Sequence, residues 1–327
     1  MHMKYIITYN PKEQSNLQNK LRANKITFKT QLMDGIALVE YQNENLHELI
    51  FNLPIYYIRH IFKVDEIFTQ TNFDITLLEK FVLNNLNKNQ NFSFQVRGNS
   101  KDIDIYSIAQ NLQNQGYNLN VKSPEQIISI LFAKNQIFVG VGNKISNLTN
   151  FKGGDYHFSA KNNFISRAEY KLLEAIDCFN IDLTSLNYAL DLGAAPGGWS
   201  KVLADKNLTV YSVDPASLDE KLNRNKNIIH FKQTAQEFLK NNKQKFDILV
   251  NDMKMDAQES ISLTSTLKPF LNENAYIVLT LKLANNHKSS QIDKALDLLS
   301  KTYTIITARQ LFHNRSEITV FAKNNSI

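Results

Sequence analysis

The chain has 327 residues, of which 43% are hydrophobic, a formal net charge of +6 and one cysteine, Cys178. This length exceeds one typical domain of roughly 100–150 residues, so two or three domains are expected, and the basic balance favours an anionic partner. A single cysteine excludes an internal disulfide and a cysteine-based zinc site, and the absence of a signal peptide and of a bilayer-spanning apolar stretch predicts a cytoplasmic protein without membrane contact.

The first segment, residues 1–72, alternates strand and helix patterns. Strands are predicted at 4–9, 26–30, 35–41 and 56–64, and helices at 13–23 and 45–51. This order predicts a small ferredoxin-like α/β domain. It has no cluster of catalytic residue types, and aromatic residues such as Tyr56, Tyr57 and Phe62 are expected to pack a core more often than to stack on bases.

The second segment, residues 73–145, is also α/β in pattern. A helix with Leu83 and Leu86 precedes strand FSFQVRG (92–98), a helix at 103–115, a short strand at Val121, a helix or extended stretch opened by Ser123-Pro124, and strand QIFVGVG (136–142). This order resembles a THUMP domain, an RNA-binding module found in RNA-modifying enzymes. The resemblance implies phosphate contacts from Arg97, Lys101 and Lys122, although each alone is an ordinary surface charge. Residues 146–163 are polar and contain glycines, which predicts a linker.

The third segment, residues 164–327, alternates helices and strands to its end. Apolar runs such as 248–250 and 277–281 are typical of strands covered on both faces. The order predicts a doubly wound, Rossmann-like α/β domain with a mostly parallel sheet, in which ligands bind at the carboxyl ends of the strands. An acidic helix is expected after Pro215. The closing stretch ITARQLFHNRSEITVF indicates a hairpin, which makes the last strand antiparallel.

A glycine-rich turn, DLGAAPGGWS (191–200), joins the first strand of this segment to a helix. Its glycines lack the G-x-G-x-x-G spacing of a dinucleotide site, so that ligand is disfavoured. The turn instead indicates a site for S-adenosylmethionine, and the alternative is a tight turn without a ligand. Asp214 ends the next strand, 21 positions after Gly193, where a carboxylate can accept both hydroxyls of a cofactor ribose.

Four charged residues fall on elements that can meet beside this turn. Asp252 and Lys282 end the fourth and fifth strands, Lys171 lies on the first helix, and Glu317 starts the last strand. Each alone is compatible with a surface charge. Together they predict one site at the ligand-binding edge of the sheet.

Residues 164–327 resemble the FtsJ-like ribose 2′-O-methyltransferases in the stretches SRAEYKLLEA, DLGAAPGGWS, NDM, LTLKL and RQLFHNRSEITVF. The resemblance implies a catalytic tetrad of Lys171, Asp252, Lys282 and Glu317, with Lys282 as the proton acceptor and Lys171 as a neighbouring cation. It implies cofactor contacts from Ser166, Gly193, Ala194, Pro196, Gly197, Gly198, Trp199, Asp214, Thr234 and Asp252. One departure is the stretch HFKQTAQEF, which has Gln233 and Thr234 where the family usually has an acidic residue near the adenine.

Within this family the chain is most similar to bacterial enzymes that methylate a cytidine of 23S ribosomal RNA, which also carry a small α/β domain and a THUMP domain. The resemblance therefore implies an RNA partner, 23S ribosomal RNA or a large-subunit precursor, and no metal. Two alternatives stay open: methylation of transfer or messenger RNA, and a non-catalytic role in ribosome assembly. A base methyltransferase is disfavoured, because the fourth strand ends NDMK rather than in an N/D-P-P-Y/F loop. A monomer is favoured.

Overall fold

The computed structural model describes residues 2–52, 55–71, 73–99, 104–158, 164–282 and 289–325. The chain divides into two compact units, Met1–Tyr156 and His157–Ile327. Among the described residues, no helix combines the length and apolar character needed to cross a membrane.

The first unit begins with a four-stranded sheet. Its elements are β1 (Met3–Tyr9), α1 (Gln14–Ala23), β2 (Thr27–Met33), β3 (Ile36–Tyr41), α2 (Leu46–Asn52) and β4 (Ile58–Lys63), in the sheet order β2-β3-β1-β4. The β1 strand pairs antiparallel with both β3 and β4. Tyr56 and Tyr57 are fully buried, so they pack the core of this unit and are not available to stack on bases.

A second four-stranded sheet completes the first unit. It contains β5 (Glu66–Thr69), α3 (Ile75–Asn85), β6 (Phe92–Gly98), α4 (Ile105–Asn114), β7 (Gln126–Ala133) and β8 (Gln136–Gly142), in the order β5-β8-β7-β6. The predicted strand at Val121 is wrong. Leu119 makes only an isolated bridge to Phe92, because the Asn120 side chain accepts hydrogen bonds from the amides of Lys122 and Ser123 and turns the chain.

The segment predicted to be a linker packs into the first unit as far as Tyr156. The Thr149 hydroxyl donates to Tyr156 Oη at 2.9 Å, and the Thr8 hydroxyl donates to the carbonyl of Gly153 at 2.7 Å. Arg97, one of the predicted phosphate contacts, forms an ion pair with Asp155, which occupies part of its guanidinium. Of the other two predicted contacts, Lys122 is exposed and Lys101 lies outside the described residues.

The second unit contains one seven-stranded sheet. Its elements are α5 (Ala168–Cys178), β9 (Tyr188–Leu192), α6 (Gly198–Ala204), β10 (Thr209–Val213), β11 (Ile228–Phe231), α7 (Ala235–Asn241), β12 (Phe246–Asn251), α8 (Ala257–Thr266), β13 (Leu271–Lys282), α9 (Ser289–Ser300), β14 (Thr304–Arg309) and β15 (Glu317–Lys323). The strand order is β11-β10-β9-β12-β13-β15-β14. One strand of this sheet, β15, runs opposite to the other six, which confirms the predicted Rossmann-like fold.

The strand order reverses between β9 and β12, and this point positions the candidate site. In doubly wound sheets a crevice opens there, outside the carboxyl ends of the strands. The helix predicted after Pro215 is wrong, because only a single 3₁₀ turn forms, at Glu220–Leu222. The amide of Asp219 instead donates to the carbonyl of Pro196 at 2.9 Å, so this segment is tied across the glycine-rich turn.

Candidate active site

The glycine-rich turn requires glycine at two positions. Gly193 has a φ of +68°, and a Cβ there would lie 2.4 Å from Met253 Cγ. Gly197 has a φ of +108°, and a Cβ there would lie 2.3 Å from Leu222 Cδ1. Side chains at these positions would be strained and would clash. The two glycines therefore let the turn at the carboxyl end of β9 pack closely against Met253 and Leu222.

Asp214 braces this turn from the end of β10. One of its carboxylate oxygens accepts the amide hydrogen of Ala195 at 3.1 Å, and the other accepts that of Ala216 at 2.7 Å. A carboxylate has about four acceptor sites, so two remain for ligand hydroxyls. The half-exposed position of Asp214 is compatible with the ribose contact predicted from the sequence.

The other predicted cofactor residues have diverse surroundings. The buried Ser166 Oγ has no hydrogen-bond partner within the described part of the chain, so it can bond to a ligand. Trp199 is 3% exposed, and its indole donates to the carbonyl of Ala168 at 2.7 Å, so it packs α6 against α5. Thr234 caps α7 in a reciprocal capping box with Glu237. Ala194, Pro196 and Gly198 lie on the turn itself, and cofactor contact by all these residues stays a prediction.

Local geometry brings the four predicted charged residues together. Lys171 lies in the first turns of α5, and Asp252 directly follows β12. The antiparallel register of β13 and β15 places Lys282 opposite Glu317. The carboxyl end of β13 and the start of β15 therefore meet at the crevice, next to the glycine-rich turn.

The four side chains form a closed ring of alternating charge. Lys282 Nζ lies 2.7 Å from Asp252 Oδ1 and 3.0 Å from Glu317 Oε1. Lys171 Nζ lies 3.1 Å from Asp252 Oδ2 and 2.7 Å from Glu317 Oε2. The four side chains are between 16% and 21% exposed. Each amine thus contacts both carboxylates in a partly dehydrated site.

Two members of the ring have shifted pKa values. Burial by itself raises the pKa of Asp252, but the charges of Lys171 and Lys282 outweigh it and leave the pKa below its ordinary value. Burial likewise lowers the pKa of Lys171, but Asp252 and Glu317 outweigh it, so the pKa is raised. Lys171 therefore stays a cation and Asp252 an anion across neutral pH. Among the described residues, no group of three or more His, Cys, Asp or Glu side chains is placed to hold a metal ion.

Sequence reasoning missed Thr280, which belongs to the same site. Its hydroxyl donates to Asp252 Oδ1 at 2.5 Å and accepts from Lys282 Nζ at 3.0 Å. Residues two apart on a strand point to the same face, so the polar pair in LTLK was the available signal. The Thr280 hydroxyl helps to fix the Lys282 amine relative to Asp252.

A buried acid behind the turn was not recognised as part of the site either. Asp191 is 2% exposed, and its Oδ2 accepts the Ser200 hydroxyl at 2.6 Å, which lies 2.6 Å from the Ser212 hydroxyl. Burial raises the pKa of Asp191 to about 7, with smaller contributions from the charges of Asp252 and Asp214. The available signal was a charge inside the apolar strand YALDL.

Comparisons with known proteins identify similar sequences for the second unit. The model of the FtsJ-like methyltransferase family matches residues 164–319. An uncharacterised protein of Methanocaldococcus jannaschii is 34% identical over 167 residues, which cover 49% of this chain and 46% of that protein. The ribosomal RNA large subunit methyltransferase M of Aggregatibacter aphrophilus is 32% identical over 171 residues (48% of this chain, 47% of that protein), and that of Mannheimia succiniciproducens is 29% identical over 234 residues (65% and 62%).

The chain spans about half the length of the first two relatives and less than two thirds of the third. The matched region includes the glycine-rich turn and all four residues of the ring. Residues 164–319 therefore form an FtsJ-like methyltransferase domain.

Proposed function

We propose that this protein is an S-adenosylmethionine-dependent RNA ribose 2′-O-methyltransferase that acts on a cytidine of 23S ribosomal RNA or of its large-subunit precursor. The observation that carries the proposal is the closed ring of Lys171, Asp252, Lys282 and Glu317 beside the glycine-rich turn. The two relatives named as ribosomal RNA large subunit methyltransferases support the class of substrate.

The residues at the turn fit S-adenosylmethionine. Asp214 has acceptor sites left for ribose hydroxyls, and the Ser166 hydroxyl has its hydrogen-bonding capacity unused within the described residues. When bound, this cofactor supplies a methyl group already activated by its sulfonium. The protein must then orient a ribose hydroxyl and remove its proton.

We assign Lys282 as the general base that removes this proton. Its Nζ accepts the 2′-hydroxyl proton of the ribose once the amine is in its neutral form. Asp252 and Glu317, at 2.7 and 3.0 Å, hold the amine in place, and Lys171 keeps both carboxylates anchored from the other side. A base positioned in this way contributes roughly 10²–10⁴ in rate.

The direct test is Lys282→Ala, with the exposed Lys206→Ala in the same unit as the matched control. We expect transfer of a tritiated methyl group to 23S ribosomal RNA from a deletion strain to fall by roughly 10²–10⁴ for Lys282→Ala. Cofactor affinity, measured by calorimetry, should stay within a few-fold, and Lys206→Ala should match the wild type. Substantial turnover by Lys282→Ala would contradict the assignment.

A second experiment identifies the target RNA. Mass-spectrometric mapping of ribose methyl groups in a deletion strain should show one cytidine of 23S ribosomal RNA unmethylated, and the intact gene should restore it. If a methyl group is lost from transfer or messenger RNA instead, that RNA is the substrate. An unchanged methylation map would favour the non-catalytic assembly role.

The first unit supports the proposal through its predicted role in RNA binding. We assign residues 1–72 to a small ferredoxin-like domain and residues 73–145 to a THUMP-like domain that contacts the RNA. The parallel pair β6 and β7, with α4 between them in sequence, is compatible with this assignment. The domain boundaries and the cytoplasmic location stay predictions.

A further inference from the structure

Three aromatic rings form a cluster in the second unit, which we call the aromatic patch: Phe158, Tyr170 and His313. The ring centroid of Tyr170 lies 5.2 Å from that of Phe158 and 5.1 Å from that of His313, each pair with planes 18° apart. Phe158 and His313 are themselves 5.6 Å apart. A linear stack would separate these outer rings by about twice the distance between neighbours. The rings of Phe158 and His313 therefore both stack against that of Tyr170, and the ring of Phe164 lies 4.3 Å from Tyr170 with its plane tilted by 47°.

Two residues of the aromatic patch lie close in sequence to members of the tetrad. Tyr170 directly precedes Lys171 on α5, and His313 lies four residues before Glu317. Neighbouring Cα atoms are only 3.8 Å apart, so the backbone that carries Tyr170 also positions a member of the ring of charges. Tyr170 thus shares α5 with Lys171, and His313 lies in the loop that leads into the strand of Glu317.

A buried carboxylate fixes the orientation of His313. Glu174, also on α5 and 1% exposed, accepts hydrogen bonds from the amides of Phe312 at 2.6 Å and His313 at 2.9 Å. It also lies 2.7 Å from Nδ1 of His313. Three bonds to two consecutive residues hold this loop against α5. The aromatic patch is therefore preorganised before any ligand binds.

Exposure and charge indicate what the aromatic patch binds. All three of its rings are partly exposed, whereas the supporting residue Glu174 is buried. Two exposed arginines flank it in sequence: Arg167, three residues before Tyr170, and Arg315, two residues after His313. Aromatic faces bordered by cations are the combination that holds single-stranded nucleic acid, because bases stack on rings and phosphates pair with arginine.

We propose that the aromatic patch binds a nucleobase of the RNA substrate next to the ribose that faces Lys282, while Arg167 and Arg315 contact the adjoining phosphates. The inference rests on the proposed function and names how its substrate is held. A ribose hydroxyl can reach a recessed site only when its nucleotide leaves the helical stack, at a cost of a few kcal/mol. Stacking on Phe158, Tyr170 and His313 replaces part of the lost base stacking.

The test compares Tyr170→Leu with Tyr170→Phe, which keeps the ring, and with Tyr188→Leu. Tyr188 is 38% exposed and lies at the amino end of β9, away from the carboxyl ends of the strands where the site lies, so it controls for loss of an exposed tyrosine. For Tyr170→Leu we expect the KM for 23S ribosomal RNA from a deletion strain to rise about tenfold or more, as loss of one base stack implies. Its kcat and cofactor affinity should stay within a few-fold, and Tyr170→Phe should resemble the wild type. A KM for Tyr170→Leu equal to that of Tyr188→Leu would overturn the proposal.

A surface variant keeps the proposal testable should Tyr170→Leu fold poorly. Arg315→Gln replaces an exposed side chain and should lower the slope of log Kd against log salt by about one; an unchanged slope would overturn the phosphate contact. Gel-shift measurement of the Kd for the same RNA needs no catalysis. An equal Kd for wild type and Tyr170→Leu counts against the aromatic patch, whereas normal RNA binding without methyl transfer by the wild type counts against the proposed function alone.

Discussion

Replacing Asp191 with asparagine should remove most of the pH dependence of stability of the second unit between about pH 5 and pH 8. The wild-type carboxyl is buried beneath the glycine-rich turn, with the hydroxyl of Ser200 donating to it at 2.6 Å. Burial raises its pKa from 3.8 to about 7. Asparagine has nearly the same shape, and its Oδ1 can accept the same hydrogen bond without carrying a charge.

The sign and size of this effect follow from the two pKa values of Asp191. Between pH 3.8 and about 7 the folded protein keeps a proton that the unfolded chain has lost. The stability that this bound proton contributes is therefore fully present below the pKa of Asp191 in the unfolded chain. It is lost as the pH rises through the pKa of Asp191 in the folded protein. Linkage gives a loss of about 3 kcal/mol between pH 5 and pH 8. An asparagine side chain cannot ionise, so the Asp191→Asn variant does not lose this stability.

Urea denaturation followed by fluorescence measures the effect directly. Trp199 is the single tryptophan of the chain and is 3% exposed in the second unit, so its emission reports unfolding of that unit. The matched control is Asp205→Asn, because Asp205 has a 55% exposed side chain and a surface ion pair with Lys201, which contributes little. Parallel stability curves for wild type and Asp191→Asn from pH 5 to pH 8 would refute the reasoning.

Two further substitutions test the site. Thr280→Val keeps the shape of the side chain but removes the hydroxyl between Asp252 and Lys282. Because each hydrogen bond to a charged group contributes about 1.5–3 kcal/mol, kcat should fall at least about tenfold while cofactor affinity stays unchanged. A wild-type kcat would show that the hydroxyl does not position the amine. Gly193→Ala places a Cβ 2.4 Å from Met253 Cγ at a φ of +68°. The free energy of unfolding should therefore fall by more than about 1 kcal/mol, and cofactor binding measured by calorimetry should weaken. Unchanged stability and affinity would mean that the turn relaxes around the added methyl group.

Much of the second unit was predictable because local and global signals agree there. The apolar runs in β12 and β13 match strands buried on both faces, and the hairpin pattern at the end of the chain became β14 and β15. The error in this unit occurred where a hydrogen bond from outside the segment decided the structure. The stretch after Pro215 is held by the bond from Asp219 to the carbonyl of Pro196, and no local pattern encodes that partner.

The site was predictable to the extent that its residues occupy the ends of elements. Asp252, Lys282 and Glu317 could be placed at one sheet edge from strand order alone, whereas the closed ring depends on the register of β13 and β15. Glu174 could not be recognised in the same way. Its partners, Phe312 and His313, lie 138 and 139 positions away in sequence, and a glutamate within an amphipathic helix pattern is ordinarily expected on the exposed face.

The pH dependence of methyl transfer connects the buried acid with the ring of charges. The pKa of Asp252 is lowered and that of Lys171 is raised, so both keep their charges across neutral pH. Asp191, whose pKa is about 7 and which interacts electrostatically with Asp252, gains a negative charge in the same interval. A further anion beside Asp252 repels the carboxylate that holds the ring of charges in place, so the wild type should lose activity as Asp191 ionises. We therefore expect the ratio of kcat for Asp191→Asn to kcat for the wild type, measured with saturating cofactor and RNA, to rise from pH 6 to pH 9. Because a ratio cancels any constant effect of the substitution, a flat or falling ratio would show that the charge of Asp191 does not affect the ring of charges.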